Sequence, residues 1–370
     1  MNAKSTIVYL ALSAMVLPGC SNSKKESEAT GGAGATPSFT LAYSEYPSWS
    51  IFGVASKEGL IDPAQGKFGT IEERWRVDIV LNYAEYDPCI TQYGTSTADA
   101  VCITNMDILS PSLKRASVAI MPTSTSVGAD ACIAVGIDSI EALAGKTTYG
   151  LEKSVSQYCF ERVLEKHNKN PEDFPFSNQD PGVAAMAMQS SQAGIESIMV
   201  WNPFVMQTLK KRADAKVLFD SSEIEEEIID MVVVAKDSLA KPGGRAFAYA
   251  IADAFYEVNK LLAAPETADQ TLATLGEEFG KLSLDDMKQI VRQTRMYTKP
   301  EDGLALFQSE QFKTATMPHV TKFCLSHEIC DSEPSQGFNA TDSQLNFDTT
   351  FMEGILSDKP PVQLLRQTAE

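Results

Sequence analysis

The stretch FTLAYSEYPSWSIFGVASKEGLI, residues 39–61, decides the fold. Its first part, FTLAYSEY, is rich in β-branched and aromatic residues and reads as a strand. Its last part, SIFGVASKEGLI, reads as an amphipathic helix that ends near Gly59. Between them lies Tyr46-Pro47-Ser48-Trp49, a loop at the strand's carboxyl end. A strand that passes into a helix through such a loop is the repeating unit of an α/β protein.

Working outward, the unit recurs. RVDIVLNYAEY reads as a strand, and DPCITQYGTSTAD as a helix opened by Asp87-Pro88. AVCIT is a short buried strand, NMDILSPSLK a helix start and ASVAIMPTS a strand. DACIAV, TTYGL, FPFSN, SIMVW, KVLFD and IIDMVVVAK continue the strands. The helices between them are those around SIEALAG, SVSQYCFERVLEKHN, PGVAAMAMQ and NPFVMQTLKKR. This alternation predicts parallel sheets covered on both faces. After Lys241-Pro242-Gly243-Gly244 the chain turns helical. RAFAYAIADAFYEVNKLLAA and TADQTLATLGEEFGKL are followed by SLDDMKQIVRQTRMY, which opens on a Ser cap with Asp285 and Asp286 in its first turn. The tail from about Asp331 is polar, and its pattern assigns it no place.

The other direction leads to the start of the chain. Lys4 precedes the short apolar run Ile7 to Val16, then Leu17-Pro18-Gly19-Cys20, after which the chain is polar. This is the layout of a secretory signal, too short to remain as a membrane-spanning helix. Cysteine directly after a small residue looks like a bacterial lipobox, which makes residues 1–19 a signal peptide and Cys20 the lipidated N-terminus. Residues 20–38 are then a flexible tether, since SNSKKESEATGGAGATP has nothing to pack. An ordinary cleaved signal with an incidental Cys20 is the other reading. No later segment is apolar and long enough to cross a bilayer, so membrane attachment is through lipid alone.

Composition narrows the function. The chain has 370 residues and a formal charge of −18, which loss of Lys4 with the signal takes to −19. Such a chain is repelled by nucleic acid and by anionic lipid heads. Six cysteines follow Cys20; Cys324 and Cys330 are the best local disulfide candidate, and the others are equally readable as buried thiols.

In open α/β sheets, ligands sit beyond the carboxyl ends of strands. The residues expected there are Tyr46, Ser48, Trp49, Thr104, Asn105, Thr123, Thr125, Glu152, Ser154, Ser156, Trp201, Asn202 and Asp230. Several of these loops open helices, so free N–H groups and a positive dipole end point at one space. Helix capping accounts for any one loop, while five together point to a ligand cleft.

Other motifs carry less. Gly150-Leu151-Glu152-Lys153-Ser154 lacks two glycines of a phosphate loop, which argues against nucleotide hydrolysis. His319, Cys324, His327 and Cys330 have zinc-like spacing, but export favours a disulfide with two surface histidines, and no metal or other cofactor is expected. Only His167, His319 and His327 are available as histidine bases, none at a strand end, and no G-x-S-x-G or H-E-x-x-H occurs, so no catalytic residue is assigned and an enzyme is not expected. The acidic run Glu223, Glu225, Glu226, Glu227 reads as a solvated face.

With its lipobox and tether, the chain resembles an extracytoplasmic substrate-binding lipoprotein of an ABC transporter. The nearest type is the nitrate/sulfonate/taurine binders, which include binders of thiamine pyrimidine precursors. The resemblance rests on YSEYPSWSIFGVASKEGLI, TADAVCITNMDIL and IESIMVWNPF, in that order, and covers about residues 39–320. It implies a two-lobed periplasmic-binding-protein fold of type II, an α/β fold with two crossing segments and extra C-terminal helices. Residues 39–124 with 233–330 would form the first lobe and 125–232 the second. The crossings would fall near Thr123–Ser126 and Asp230–Val234, and residues 331–370 would be a polar extension. It further implies a small-molecule ligand, an ABC permease as partner, a monomer and a place on the periplasmic side of a bacterial membrane.

Trp49 and Trp201 offer flat walls or a cation–π contact, Asp230 with Glu152 or Asp107 a partner for an ammonium or amide, and Ser154–Ser156 a seat for an anion. A zwitterion or small nitrogenous compound fits these better than a bare anion, because no arginine stands at these strand ends. A ligand sensor that presents its closed state to a membrane receptor, and an enzyme on the same fold, are the competing readings.

Overall fold

The computed structural model describes residues 35–357, together with Gln363 and Leu365. The signal, Cys20 and most of the tether lie outside the described residues, as does the end of the C-terminal segment.

The strands are β1 (Ser38–Tyr43), β2 (Asp78–Tyr83), β3 (Ala100–Thr104), β4 (Ser117–Ser126), β5 (Asp130–Val135), β6 (Thr148–Gly150) and β7 (Phe176–Asn178). They continue as β8 (Ser197–Trp201), β9 (Ala215–Asp220), β10 (Ile229–Ala235), β11 (Thr294–Met296), β12 (Gln336–Phe338) and β13 (Leu345–Phe347). They form two sheets. One runs β12-β13-β4-β10-β3-β1-β2, with β11 also on β4; the other runs β7-β6-β8-β5-β9. The chain leaves the first sheet over residues 127–129 and returns over residues 221–228.

The sheets are mixed rather than parallel throughout. β10 is antiparallel to both β3 and β4, and β5 is antiparallel to both β8 and β9. The cause is topological. β4 carries the chain out of the first sheet, and β10 re-enters at that same edge, so it must run the other way. β5 likewise enters the second sheet from the side facing the first.

Helices form where the sequence supplies their ends. Helix Ile51–Lys57 buries Ile51, Phe52, Val54 and Ala55 and gives way at Gly59, whose φ of +69° a side chain would strain. Helix Val155–Lys166 is capped by Ser154, whose Oγ accepts from Ser156 N at 3.1 Å. Ser283 caps helix Leu284–Gln293, as expected, but that helix stops before TRM, which pairs with β4 as β11. A further helix, Thr70–Trp75, is pinned by buried Glu72, which accepts from the N–H groups of Gly69, Asp62 and Ile79 at 2.6, 2.7 and 2.6 Å.

The polar tail proves to be part of the first sheet. β13 lies parallel to β4, and Phe347 packs on Phe312, Phe307 and Phe338 at ring separations of 5.0–5.3 Å. Helix Thr350–Leu356 buries Phe351 and Met352. A few aromatics spaced among polar residues suffice to anchor it, which average polarity hides. Among the described residues no helix is long and apolar enough to cross a membrane.

Candidate functional site

The facing edges of the two sheets enclose a cavity. Its first wall is aromatic. Trp49 stacks on Tyr86 with centroids 5.3 Å apart and leans on Tyr46 at 5.1 Å. Tyr46 and Trp49 come from the loop after β1, and Tyr86 opens helix Tyr86–Gly94. Trp201, at the end of β8, lines the cavity from the second sheet. Ser44, Glu45, Thr104, Ser154, Val155 and Ile228 fill between.

The polar floor is acidic. Asp230, the second residue of β10, pairs in register with Thr104 and Ser124. Because β10 runs antiparallel, its start lies at the carboxyl ends of β3 and β4. Asp130 opens β5 opposite Trp201 by the same logic. A chain of hydroxyls backs Asp230: Ser124 Oγ is 2.5 Å from its carboxyl and 2.8 Å from Ser48 Oγ, which is 2.9 Å from Thr123 Oγ1. Ser126 Oγ donates to Asp130 at 2.5 Å.

Burial governs the charge of these acids. It drives Asp230 well above the usual carboxylate range, against the Ser124 hydrogen bond and with help from Asp130 and Asp107. Asp130 is pushed up to about 6, chiefly by burial and further by Asp220, against Ser126. Asp107 is also raised to about 6 by burial, although Tyr86 and Thr104 hydroxyls donate to it at 2.7 and 2.8 Å. Glu45 is raised by burial as well. Among the described residues no lysine or arginine lines the cavity. The Trp49 Nε1–H and the Ser44 hydroxyl are buried without a partner.

Of the residues expected at the site, the structure gathers Tyr46, Trp49, Thr104, Ser154, Trp201 and Asp230 around this cavity. Ser48 and Thr123 stand behind it in the hydroxyl chain. Asn105 instead fastens the chain's return: its Nδ2 donates to Glu227 O and its Oδ1 accepts from Ile229 N, both at 3.1 Å. Thr125 donates to Ile228 O at 2.9 Å, and Asn202 donates to Gln293 at 3.0 Å. Ser156 is buried beside its cap, and Glu152 is exposed in a separate surface groove.

Ser44, Glu45, Tyr86, Asp130 and Ile228 are cavity residues that the sequence expectations left out, while Val155 belongs to the expected loop around Ser154. The signal for Asp130 was a carboxylate directly before the buried run ACIAV.

The acidic run is not a solvated face throughout. Glu227 is 6% exposed and accepts from Tyr158 Oη at 2.6 Å and Arg162 Nε at 2.8 Å. Glu226 pairs with Arg295, and Glu223 with His167. Cys324 and Cys330 are buried free thiols, and Cys324 Sγ donates to Met106 O at 3.9 Å. His327 stacks on Phe323 at 4.0 Å and pairs with Glu161. Among the described residues no group of His, Cys, Asp and Glu is placed to hold a metal ion.

No protein-family model matches the chain, and no curated protein matches it. Solved structures do. The periplasmic aliphatic sulphonate binding protein SsuA from Escherichia coli superposes with a TM-score of 0.62 at 15% identity, over 80% of this chain and 89% of that one. The alkanesulfonate-binding protein SsuA from Xanthomonas axonopodis, bound to MOPS, gives 0.62 at 12%, over 81% and 96%. The Candida albicans CA3427 product, described as having the generic periplasmic binding protein fold, gives 0.60 at 11%, over 80% and 92%. The chain thus has the two-lobed α/β fold of periplasmic binding proteins, and its structural neighbours include sulfonate-binding components of ABC importers.

Proposed function

We propose that this protein is a lipid-anchored solute-binding protein that captures a small, nitrogen-containing or zwitterionic compound between its lobes and delivers it to an ABC permease. The observation that carries this is the cavity between the two sheets, walled by Trp49, Tyr86 and Trp201 and floored by buried carboxyls. The lobes in this reading are residues 39–124 with 233–330, and 125–232. Segments 123–126 and 230–234 are the hinge, where β4 and β10 pair. Closing the lobes excludes water and strengthens every polar contact inside. The protein acts as an exported monomer, held at the membrane through Cys20, and performs no catalysis.

Native mass spectrometry of the unlipidated protein as purified, followed by a thermal-shift screen of amines, amino-sulfonates, amides and pyrimidines, tests the binding. A co-purified compound or saturable stabilisation is expected, since a ligand held only by the folded state raises apparent stability. Absence of both across the screen refutes it. Cys20→Ser is expected to move the protein from the membrane to the soluble fraction.

A further inference from the structure

The cleft is one-signed. Asp130 and Asp230 reach it from different sheets, Asp130 acts on Asp230, and both act on the Tyr46 hydroxyl. Glu45 lines the same space. Among the described residues no cationic side chain does, and Arg295, within β11, is engaged by Glu226 at 2.7 Å. An anion placed here would lose its hydration and face the carboxyls and the negative ring faces, with the hydroxyls of Ser44, Thr104 and Ser154 and the Trp49 N–H as donors but no cationic side chain among the lining residues. A cation meets the reverse: ring faces attract it, and each carboxyl it approaches is favoured in its ionised form. The space is small, about 30 Å³, which suits a compact ligand. The buried Trp49 Nε1–H lacks an acceptor, which a neutral oxygen on a ligand would supply.

We propose that the cleft takes a compact organic cation, a primary or small alkylated ammonium or a guanidinium bearing at most a neutral oxygen and no anionic group, with Asp130 and Asp230 as its counter-charge and Trp49 and Tyr86 as its walls. This rests on the reading of the protein as a solute-binding protein, and narrows it: zwitterions and the sulfonates of the structural neighbours are excluded. Asp130 and Asp230 set the charge of the ligand, and the rings set its size.

Isothermal titration of the full mature chain carrying Cys20→Ser, at pH 8, separates the classes. The probes are ethanolammonium, choline, methylammonium and guanidinium as cations, β-alanine as zwitterion, and ethanesulfonate and MOPS as sulfonates. The expected result is saturable binding of at least one cation below millimolar Kd, with no heat from the others. Asp130→Asn and Asp230→Asn are each expected to weaken that binding at least tenfold. Should either variant fail to fold, Glu45→Gln, at a partly exposed cavity position, is expected to weaken it several-fold. Tighter binding of β-alanine or a sulfonate than of every cation overturns the cation assignment and leaves the solute-binding reading standing. Undiminished cation binding in both Asp variants also overturns the assignment. Silence from all seven probes, with no thermal shift, overturns both.

Discussion

Ser124 Oγ lies 2.5 Å from the Asp230 carboxyl and 2.8 Å from Ser48 Oγ. A hydroxyl has one proton to give. When Ser124 donates to an ionised Asp230 it must accept from Ser48, and when Asp230 is protonated the whole chain can reverse. Ser48 comes from the loop after β1, Ser124 from β4 and Asp230 from β10. The protonation of one carboxyl is therefore tied to three elements that meet at the crossing between the sheets.

The pH dependence of stability follows from the raised acids. Burial pushes Asp130 up to about 6 in the folded protein, above the range of an unfolded aspartate, because it disfavours the charged form. The folded state binds the extra proton, so this contribution is fully present below about pH 4 and is lost as pH rises through 6. Asp220, Asp230 and the hydroxyls of Ser126 and Tyr46 face the same carboxyl, and Asp107 behaves likewise. The ligand-free protein should melt higher at pH 5 than at pH 7.5. Asp130→Asn should stabilise it at pH 7.5, by on the order of 2 kcal/mol, and flatten that pH profile. Thermal melts from pH 4 to 8 check both.

Trp201→Ala should separate binding from folding. Trp201 is only partly buried, whereas Trp49 is 4% exposed and packed between two tyrosines. Removing Trp201 should weaken ligand binding about tenfold, the scale of one cation–π contact, with a small change in melting temperature. Trp49→Ala should abolish binding and cost about 3–5 kcal/mol of stability. Titration calorimetry beside urea unfolding reads the two effects apart.

Glu227→Ala should be among the most damaging single changes outside the cavity. It strands the Arg162 guanidinium and the Tyr158 hydroxyl, both of which donate to Glu227. Breaking one side of a buried pair costs about 3–5 kcal/mol. Arg162 is itself partly exposed, so the low end is expected. Glu227→Gln keeps an acceptor and should cost less than half as much in urea unfolding.

Oxidation should join Cys324 and Cys330, two buried thiols whose backbones meet where Cys330 N donates to Cys324 O at 3.3 Å. Non-reducing peptide mapping of the air-oxidised protein should recover this bridge and leave Cys89, Cys102, Cys132 and Cys159 as thiols. Recovery of any of those four in a bridge would contradict the pairing.

Much of this protein was legible residue by residue. The strands around Leu41, Ile79, Ile103, Ile133, Ile198 and Val232 are apolar runs bounded by turn residues, and the helices between them announce their ends with Ser154, Ser283 and Gly59. Tyr46, Trp49, Thr104, Trp201 and Asp230 were reachable because loops at strand ends are where α/β proteins place ligands. Asp130 and Tyr86 escaped that rule. One starts a strand whose direction depends on which sheet it joins, and the other opens a helix whose packing on Trp49 is not local. Glu227 escaped for a related reason: a charged run reads as solvated until the Arg162 that neutralises one member of it is seen across the fold.

The α/β alternation and the aromatic and hydroxyl loops were legible from the residues alone, since they depend on neighbours in the chain and on the period of apolar residues. That β5 and β10 run against their partners, that the tail from Gln336 completes the first sheet, and that Asp130 and Asp230 share one cavity emerges only in the folded chain. Strand direction and long-range pairing follow from which of many possible contacts bury the most apolar surface together, and no local stretch of residues encodes that choice.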